Sequence, residues 1–103
     1  MIYNYKGHFS YISQSISDNA PQSKGVYYMG SPNQDGSLGT TYVGKSSKGV
    51  DMRGRLLSHF NNNEWSDVTH FGYRICETIE EADRFEAEEI TRLEPEHNQI
   101  GKW

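Results

Sequence analysis

The sequence predicts a small α+β domain: a three-stranded antiparallel sheet flanked by helices, in the order β-β-α-β-α. Two observations lead to this prediction. Two strand-like segments flank a loop rich in turn-forming residues, and two segments with helical periodicity follow, separated by one more strand. With 103 residues and only 34% hydrophobic residues, the chain allows one domain with a thin core.

The first predicted element is a hairpin with a long loop. Residues 24–30 (KGVYYMG) and 40–45 (TTYVGK) are rich in β-branched and aromatic residues, whereas residues 31–39 (SPNQDGSLG) are dense in loop formers. Strand alternation lets Tyr27 and Tyr42 share one face of the hairpin. The two tyrosines can be interpreted either as an ordinary cross-strand aromatic pair or as a functional pair of phenols, and the hairpin alone does not decide between them.

The remaining elements follow from periodicity and capping signals. Residues 51–60 have apolar side chains at every fourth position, which predicts a helix. Residues 69–78 alternate between apolar and polar, which is typical of a third strand. Thr78 and Glu81 form a capping box that begins the last helix, and Pro95 requires that helix to end just before it.

Residues 1–23 are polar and mixed, so we expect an N-terminal arm or extension to a domain at 24–103. The single cysteine, Cys76, excludes a disulfide framework within the chain and favours a reducing compartment. No segment resembles a signal peptide or a membrane span, which predicts a soluble, cytoplasmic protein.

The charge distribution is uneven although the formal net charge is −4. Residues 80–96 hold eight of the fourteen acidic residues, whereas residues 45–55 hold four basic residues against one acid, Asp51. A bound anion and a solvated surface of mixed charge are equally good explanations of the basic stretch. Its basic residues are Lys45, Lys48, Arg53 and Arg55.

One short stretch matches the sequence pattern of a nucleotide-binding loop. Residues 39–46 (GTTYVGKS) match the pattern G-x-x-x-x-G-K-S/T. Their middle residues are β-branched or aromatic, and no helix pattern follows Ser46 directly, so we interpret the stretch as a strand.

The last helix carries a carboxylate on its predicted apolar face. Ile79, Ala82, Ile90 and Leu93 fall on one stripe, and Glu86 lies at its centre. A buried carboxylate costs several kcal/mol unless it is paired or metal-bound. An ion pair with an arginine, a metal ligand and a catalytic acid remain open here.

The helix at 51–60 offers groups that suit a phosphate. Arg55 and His59 are four residues apart and share a face. The guanidinium can bind a phosphate and the imidazole can shuttle a proton. Alternatively, Arg55 pairs with Glu86 and His59 is exposed.

Five motifs stand in order along the chain, and together they resemble the GIY-YIG nuclease family over residues 24–99. A longer segment before Arg55, a long hairpin loop, and His59 where many members have tyrosine depart from the family pattern and leave the substrate and the proton route open. The motifs are Gly25-Val26-Tyr27, Tyr42-Val43-Gly44 with Lys45, Arg55-x-x-x-His59, Glu86, and Pro95 with Asn98.

The resemblance implies a divalent-metal-dependent DNA endonuclease. Tyr27 would be the general base, Arg55 would bind the scissile phosphate, and Glu86 would hold one Mg²⁺ or Mn²⁺. Three further residues, which would orient water and phosphate or fix the site by hydrogen bonds, are Tyr42, His59 and Asn98. Substrate binding would involve Gly25, Gly44, Lys45, Lys48 and Arg53. A catalytically inactive DNA-binding module of the same fold is the alternative. The resemblance leaves open a homodimer or a partner protein that supplies specificity.

Overall fold

A computed structural model describes residues 1–99 as a four-stranded antiparallel sheet with helices on both faces. The strand order is β1-β4-β2-β3, so β1 and β3 are the edges. Within residues 1–99, no helix is both long enough and apolar enough to cross a membrane. The elements in chain order are β1 (Lys6–Ser10), α1 (Ser13–Asn19), β2 (Gly25–Pro32), β3 (Leu38–Lys45), α2 (Met52–Asn61), β4 (His70–Ile75), α3 (Ile79–Leu93) and α4 (Glu96–Gln99).

The α+β class is confirmed, but the sheet has four strands rather than three. The predicted order β-β-α-β-α corresponds to β2 through α3, and the prediction lacks β1, α1 and α4. The first two lie within residues 1–23: β1 pairs with β4, and Ile16 and Ala20 are fully buried in the core. An exposed edge strand such as β1 needs little apolar alternation, which is why its sequence did not indicate a strand.

Helices α2 and α3 begin at side chains that cap their free amides. Asp51 accepts a hydrogen bond from the Gly54 amide at 2.8 Å, and the Thr78 hydroxyl accepts one from the Glu81 amide at 3.0 Å. The Glu81 carboxylate in turn accepts from the Glu77 amide, one residue earlier than in an ideal capping box. Helix α3 ends before Pro95, as predicted.

The central strand β2 is buried on both faces, and its alternating side chains enter two separate cores. Tyr27 and Met29 face a core that contains residues of α1 and α2. Val26 and Tyr28 face a core that contains residues of α3. Neighbouring residues of one strand are therefore placed in two different environments.

Candidate functional site

The hairpin register places the two phenols on one face, as the sequence predicted. Tyr27 is paired with Gly44, and Met29 with Tyr42, so the Tyr27 and Tyr42 rings lie diagonally with centroids 6.4 Å apart. A Cβ atom on Gly44 would overlap the Tyr27 ring and its hydroxyl. Glycine at position 44 thus makes room for the buried phenol.

Tyr27 and His59 form the centre of the site. The fully buried Tyr27 hydroxyl lies 2.8 Å from Nε2 of His59, which lies in the last turn of α2. Burial raises the pKa of Tyr27 well above its ordinary value, and the nearby Tyr42 raises it further. The Arg55 guanidinium opposes this shift by favouring the phenolate. His59 is buried, so the alternative of an exposed histidine is wrong.

Arg55 lies one turn before His59 on α2. Its Nε is buried and has no hydrogen-bond partner among the described residues. No salt bridge joins Arg55 to Glu86 within residues 1–99, so the structure does not contain the ion pair that was the alternative for both side chains. A buried, unpaired guanidinium donor normally has a ligand or water as its partner.

The position of Glu86 on α3 differs from the prediction. The buried residues of this helix are Ala82, Phe85 and Glu89, so the inward-facing carboxylate is that of Glu89. Glu86 is half-buried at the border of this face. The buried face of α3 is centred about one residue away from the predicted stripe, on the side of Phe85. Burial of this large ring contributes more to stability than burial of a flanking isoleucine.

The half-buried carboxylate of Glu86 is electrostatically coupled to the rest of the site. Burial raises its pKa, while the positive charges of Lys45 and Arg55 act in the opposite direction. Asp83, which forms a 2.6 Å salt bridge with Lys45, adds to the upward shift. A cation beside Glu86 would therefore relieve an unfavourable charge.

Residues 1–99 contain no group of three or more His, Cys, Asp or Glu side chains arranged to hold a metal ion. Mg²⁺ does not require such a group, because it commonly keeps several waters and binds one or two carboxylates together with substrate phosphate. The half-buried carboxylate of Glu86 fits that mode of binding.

The basic residues at 45–55 do not form one patch. Lys45 pairs with Asp83, and Nε of Arg53 donates to the Ala20 carbonyl at 2.7 Å. Lys48 is exposed in the connection between β3 and α2. Of these four basic residues, only Lys45 and Arg55 lower the pKa of Glu86, which places these two charges near the candidate site.

Gly25 has a packing function. A Cβ atom at this position would overlap the Arg74 carbonyl, and the Met52 thioether lies in the same space. The Gly25 amide donates to the buried Ser46 hydroxyl at 2.9 Å. Protein atoms therefore occupy the side of Gly25 on which a side chain would lie. The bond to Ser46 also agrees with the interpretation of residues 39–46 as a strand.

Asn98 covers the free edge of β3. Its side-chain amide accepts from the Val43 amide at 2.7 Å and donates to the Val43 carbonyl at 2.9 Å, as a neighbouring strand would. This pair of bonds holds the segment Tyr42–Gly44 from outside, so Asn98 acts on the site through the backbone of β3.

The sequence did not place Glu64 in the site. This residue lies in the loop after α2, next to Trp65. A carboxylate oxygen of Glu64 lies 2.8 Å from Nδ1 of His59. The Trp65 ring lies 4.4 Å from that of Tyr42 and 5.0 Å from that of His97, centroid to centroid. The loop sequence NNNEW is polar and carries no motif, so only the spacing of five residues from His59 could have indicated Glu64.

The structure thus brings together three groups. They are the buried Tyr27 phenol in contact with the His59 imidazole, the Arg55 Nε donor without a described partner, and the half-buried Glu86 carboxylate. This set can bind an anion, accept a proton and hold a hard cation. Comparisons of the chain with protein-family models, curated proteins and solved structures returned no match.

Proposed function

We propose that this chain is a divalent-metal-dependent DNA endonuclease of the GIY-YIG type. The observation that carries the proposal is the 2.8 Å contact between Tyr27 and His59, beside an arginine whose buried Nε has no described partner. A phosphodiester supplies both missing components: oxygens for the guanidinium and a phosphorus atom for a nucleophile activated at the phenol. DNA as the substrate is supported by the motif resemblance alone.

Tyr27 and His59 remove a proton from the attacking water in this proposal. A buried phenol with a raised pKa is a poor base unless it gives up its own proton. As the Tyr27 oxygen takes a proton from water, the phenol proton passes to Nε2 of His59. The resulting hydroxide attacks phosphorus, the bond from phosphorus to the 3′ oxygen breaks, and solvent protonates the leaving oxygen.

Arg55 binds the scissile phosphate and stabilises the charge that develops on it. Its side chain projects from the rigid α2 helix, and its buried Nε gains a partner when substrate binds. Donors fixed in advance in a partly dry site typically contribute several kcal/mol to transition-state stabilisation.

Glu86 would hold Mg²⁺ or Mn²⁺, and Lys45 lies close enough to lower the pKa of the same carboxyl group. The bound cation would neutralise charge on the phosphate and on the leaving oxygen. Tyr42 packs between Tyr27 and Trp65 and keeps the phenol in place. Asn98 fixes β3 from its edge. We place the enzyme in the cytoplasm, where a buried free thiol such as Cys76 stays reduced.

The test is cleavage of duplex, branched and single-stranded DNA with Mg²⁺, with Mn²⁺ and with EDTA. We expect cleavage of at least one substrate with metal and none with EDTA. Arg55→Ala should abolish it, whereas Arg84→Ala, at an exposed arginine of α3, should not. Binding without cleavage would favour the inactive DNA-binding module. A protein that neither binds nor cleaves any of these DNA substrates would contradict the proposal.

A further inference from the structure

The hydrogen bonds of His59 define which of its nitrogens carries a proton. Glu64 lies 2.8 Å from Nδ1, and the Tyr27 hydroxyl lies 2.8 Å from Nε2. An ionised carboxylate can only accept, so Nδ1 must donate to Glu64. In the neutral ring, Nε2 then has a free lone pair and accepts from the Tyr27 hydroxyl.

The loop that carries Glu64 has an unusual backbone. The residues on either side of Glu64, Asn63 and Trp65, have φ angles of 53° and 55°, in the left-handed region. Such angles are rare for a bulky residue like tryptophan and persist only where the surroundings impose them. Here the Trp65 ring packs against His59 with centroids 5.2 Å apart. The loop is thus anchored to the residue that its carboxylate contacts.

We propose that Glu64 is a positioning residue that fixes the His59 tautomer and stabilises the imidazolium form. This inference rests on the proposed function. When the proton from Tyr27 reaches Nε2, the ring becomes positively charged, and the carboxylate at Nδ1 balances that charge without itself taking a proton. Glu64 acts only through His59 and is not a catalytic residue.

The tautomer can be measured without any activity. Long-range ¹H–¹⁵N correlation spectra of the imidazole rings should show His59 protonated at Nδ1 and unprotonated at Nε2, with the signals assigned from their loss in His59→Gln. Glu64→Ala should give a mixture of tautomers. Glu64→Gln should also lose the fixed tautomer, because its amide can accept from Nδ1 through oxygen or donate to it through nitrogen. Glu80→Gln, at an exposed carboxylate in the first turn of α3, is the matched control and should change nothing.

Cleavage kinetics give the second readout. In the serine-protease triad, replacing the carboxylate that orients the catalytic histidine costs about 10⁴-fold in kcat. We expect both Glu64→Ala and Glu64→Gln to lower kcat by about 10-fold or more with KM for DNA unchanged. An unchanged tautomer in Glu64→Ala, or a doubly protonated ring in the wild type, would overturn the inference. A fixed tautomer in a protein that cleaves no DNA would instead contradict the proposed function alone.

Discussion

Two adjacent tyrosines of β2 are buried on opposite faces of the sheet, and each donates to a different kind of partner. Tyr28 donates to Glu89 at 2.7 Å, and Arg92 holds the same carboxylate with bonds of 2.6 and 2.8 Å. Tyr27 contacts His59, and the other ring nitrogen of His59 contacts Glu64. Both networks are chains of three residues, but they differ in what they can do.

The Tyr28 network is closed. The Arg92 hydrogen bonds hold the pKa of Glu89 below its ordinary value, so its carboxylate has little tendency to take a proton from a phenol. Every member has a charged or hydrogen-bonded partner, which is the pattern expected of a structural network. The Tyr27 network contains an imidazole that can accept a proton, and the buried Nε of Arg55 beside it has no described partner. Helix α3 contributes Glu89 to the Tyr28 network, whereas the charge of Glu86 on the same helix raises the pKa of Tyr27 without a direct contact.

The largest expected effect is that of Glu86→Gln. The variant keeps the shape of the side chain but removes the proposed metal ligand, so we expect no detectable Mg²⁺-dependent cleavage and DNA binding that is kept or tightened. Burial raises the pKa of Glu86, so its charge destabilises the fold at neutral pH, and Tm in EDTA should equal or exceed that of the wild type. Normal cleavage, or a protein that unfolds much more easily, would give Glu86 a structural role.

Gly44→Ala should have an intermediate effect, because a Cβ atom there would displace the Tyr27 ring. We expect a loss of about 1–3 kcal/mol of stability from overpacking, and cleavage reduced by about 10-fold or more as Tyr27 shifts from His59. Gly54→Ala is the control, since its Cβ atom would meet only two side-chain atoms, Cγ1 of Val50 at 3.2 Å and Oδ1 of Asp51 at 3.4 Å. Equal cleavage by the two variants would show that the position of the Tyr27 ring is unimportant.

The smallest effect on cleavage is expected for Glu89→Gln, which should act on stability alone. Loss of the charged hydrogen bonds should cost about 1–3 kcal/mol in urea unfolding at neutral pH, with cleavage unchanged. The folded-state pKa is lowered, so the stabilisation is present above the ordinary glutamate pKa and is lost as pH falls through the folded value. The difference between wild type and variant should therefore shrink in acid, and a difference independent of pH would contradict this account.

The sequence predicted the hairpin and its faces because strand alternation depends only on local order. The shared face of Tyr27 and Tyr42 and the Thr78 cap of α3 followed directly. Strand β1 was not predicted, since it is stabilised by pairing with a distant strand and not by its own pattern.

The candidate site was predicted in part. The helical spacing of Arg55 and His59 placed them on one face, but the partner of His59 comes from a loop with no periodic signal. Glu86 was predicted at the centre of the buried face of α3, where the structure has Glu89. The prediction failed because Phe85, and not the isoleucines, determines which face of the helix is buried.

The most direct test of the central claim compares Tyr27→Phe with Tyr28→Phe in single-turnover DNA cleavage. Each change removes one buried hydroxyl from neighbouring positions of the same strand and keeps the ring. We predict that Tyr27→Phe folds and lowers the cleavage rate by about 10²-fold or more, as expected for loss of a general base. Tyr28→Phe should lose about 1 kcal/mol of stability and cleave at close to the wild-type rate. Equal cleavage rates in the two variants would contradict the assignment of the site to the Tyr27 face.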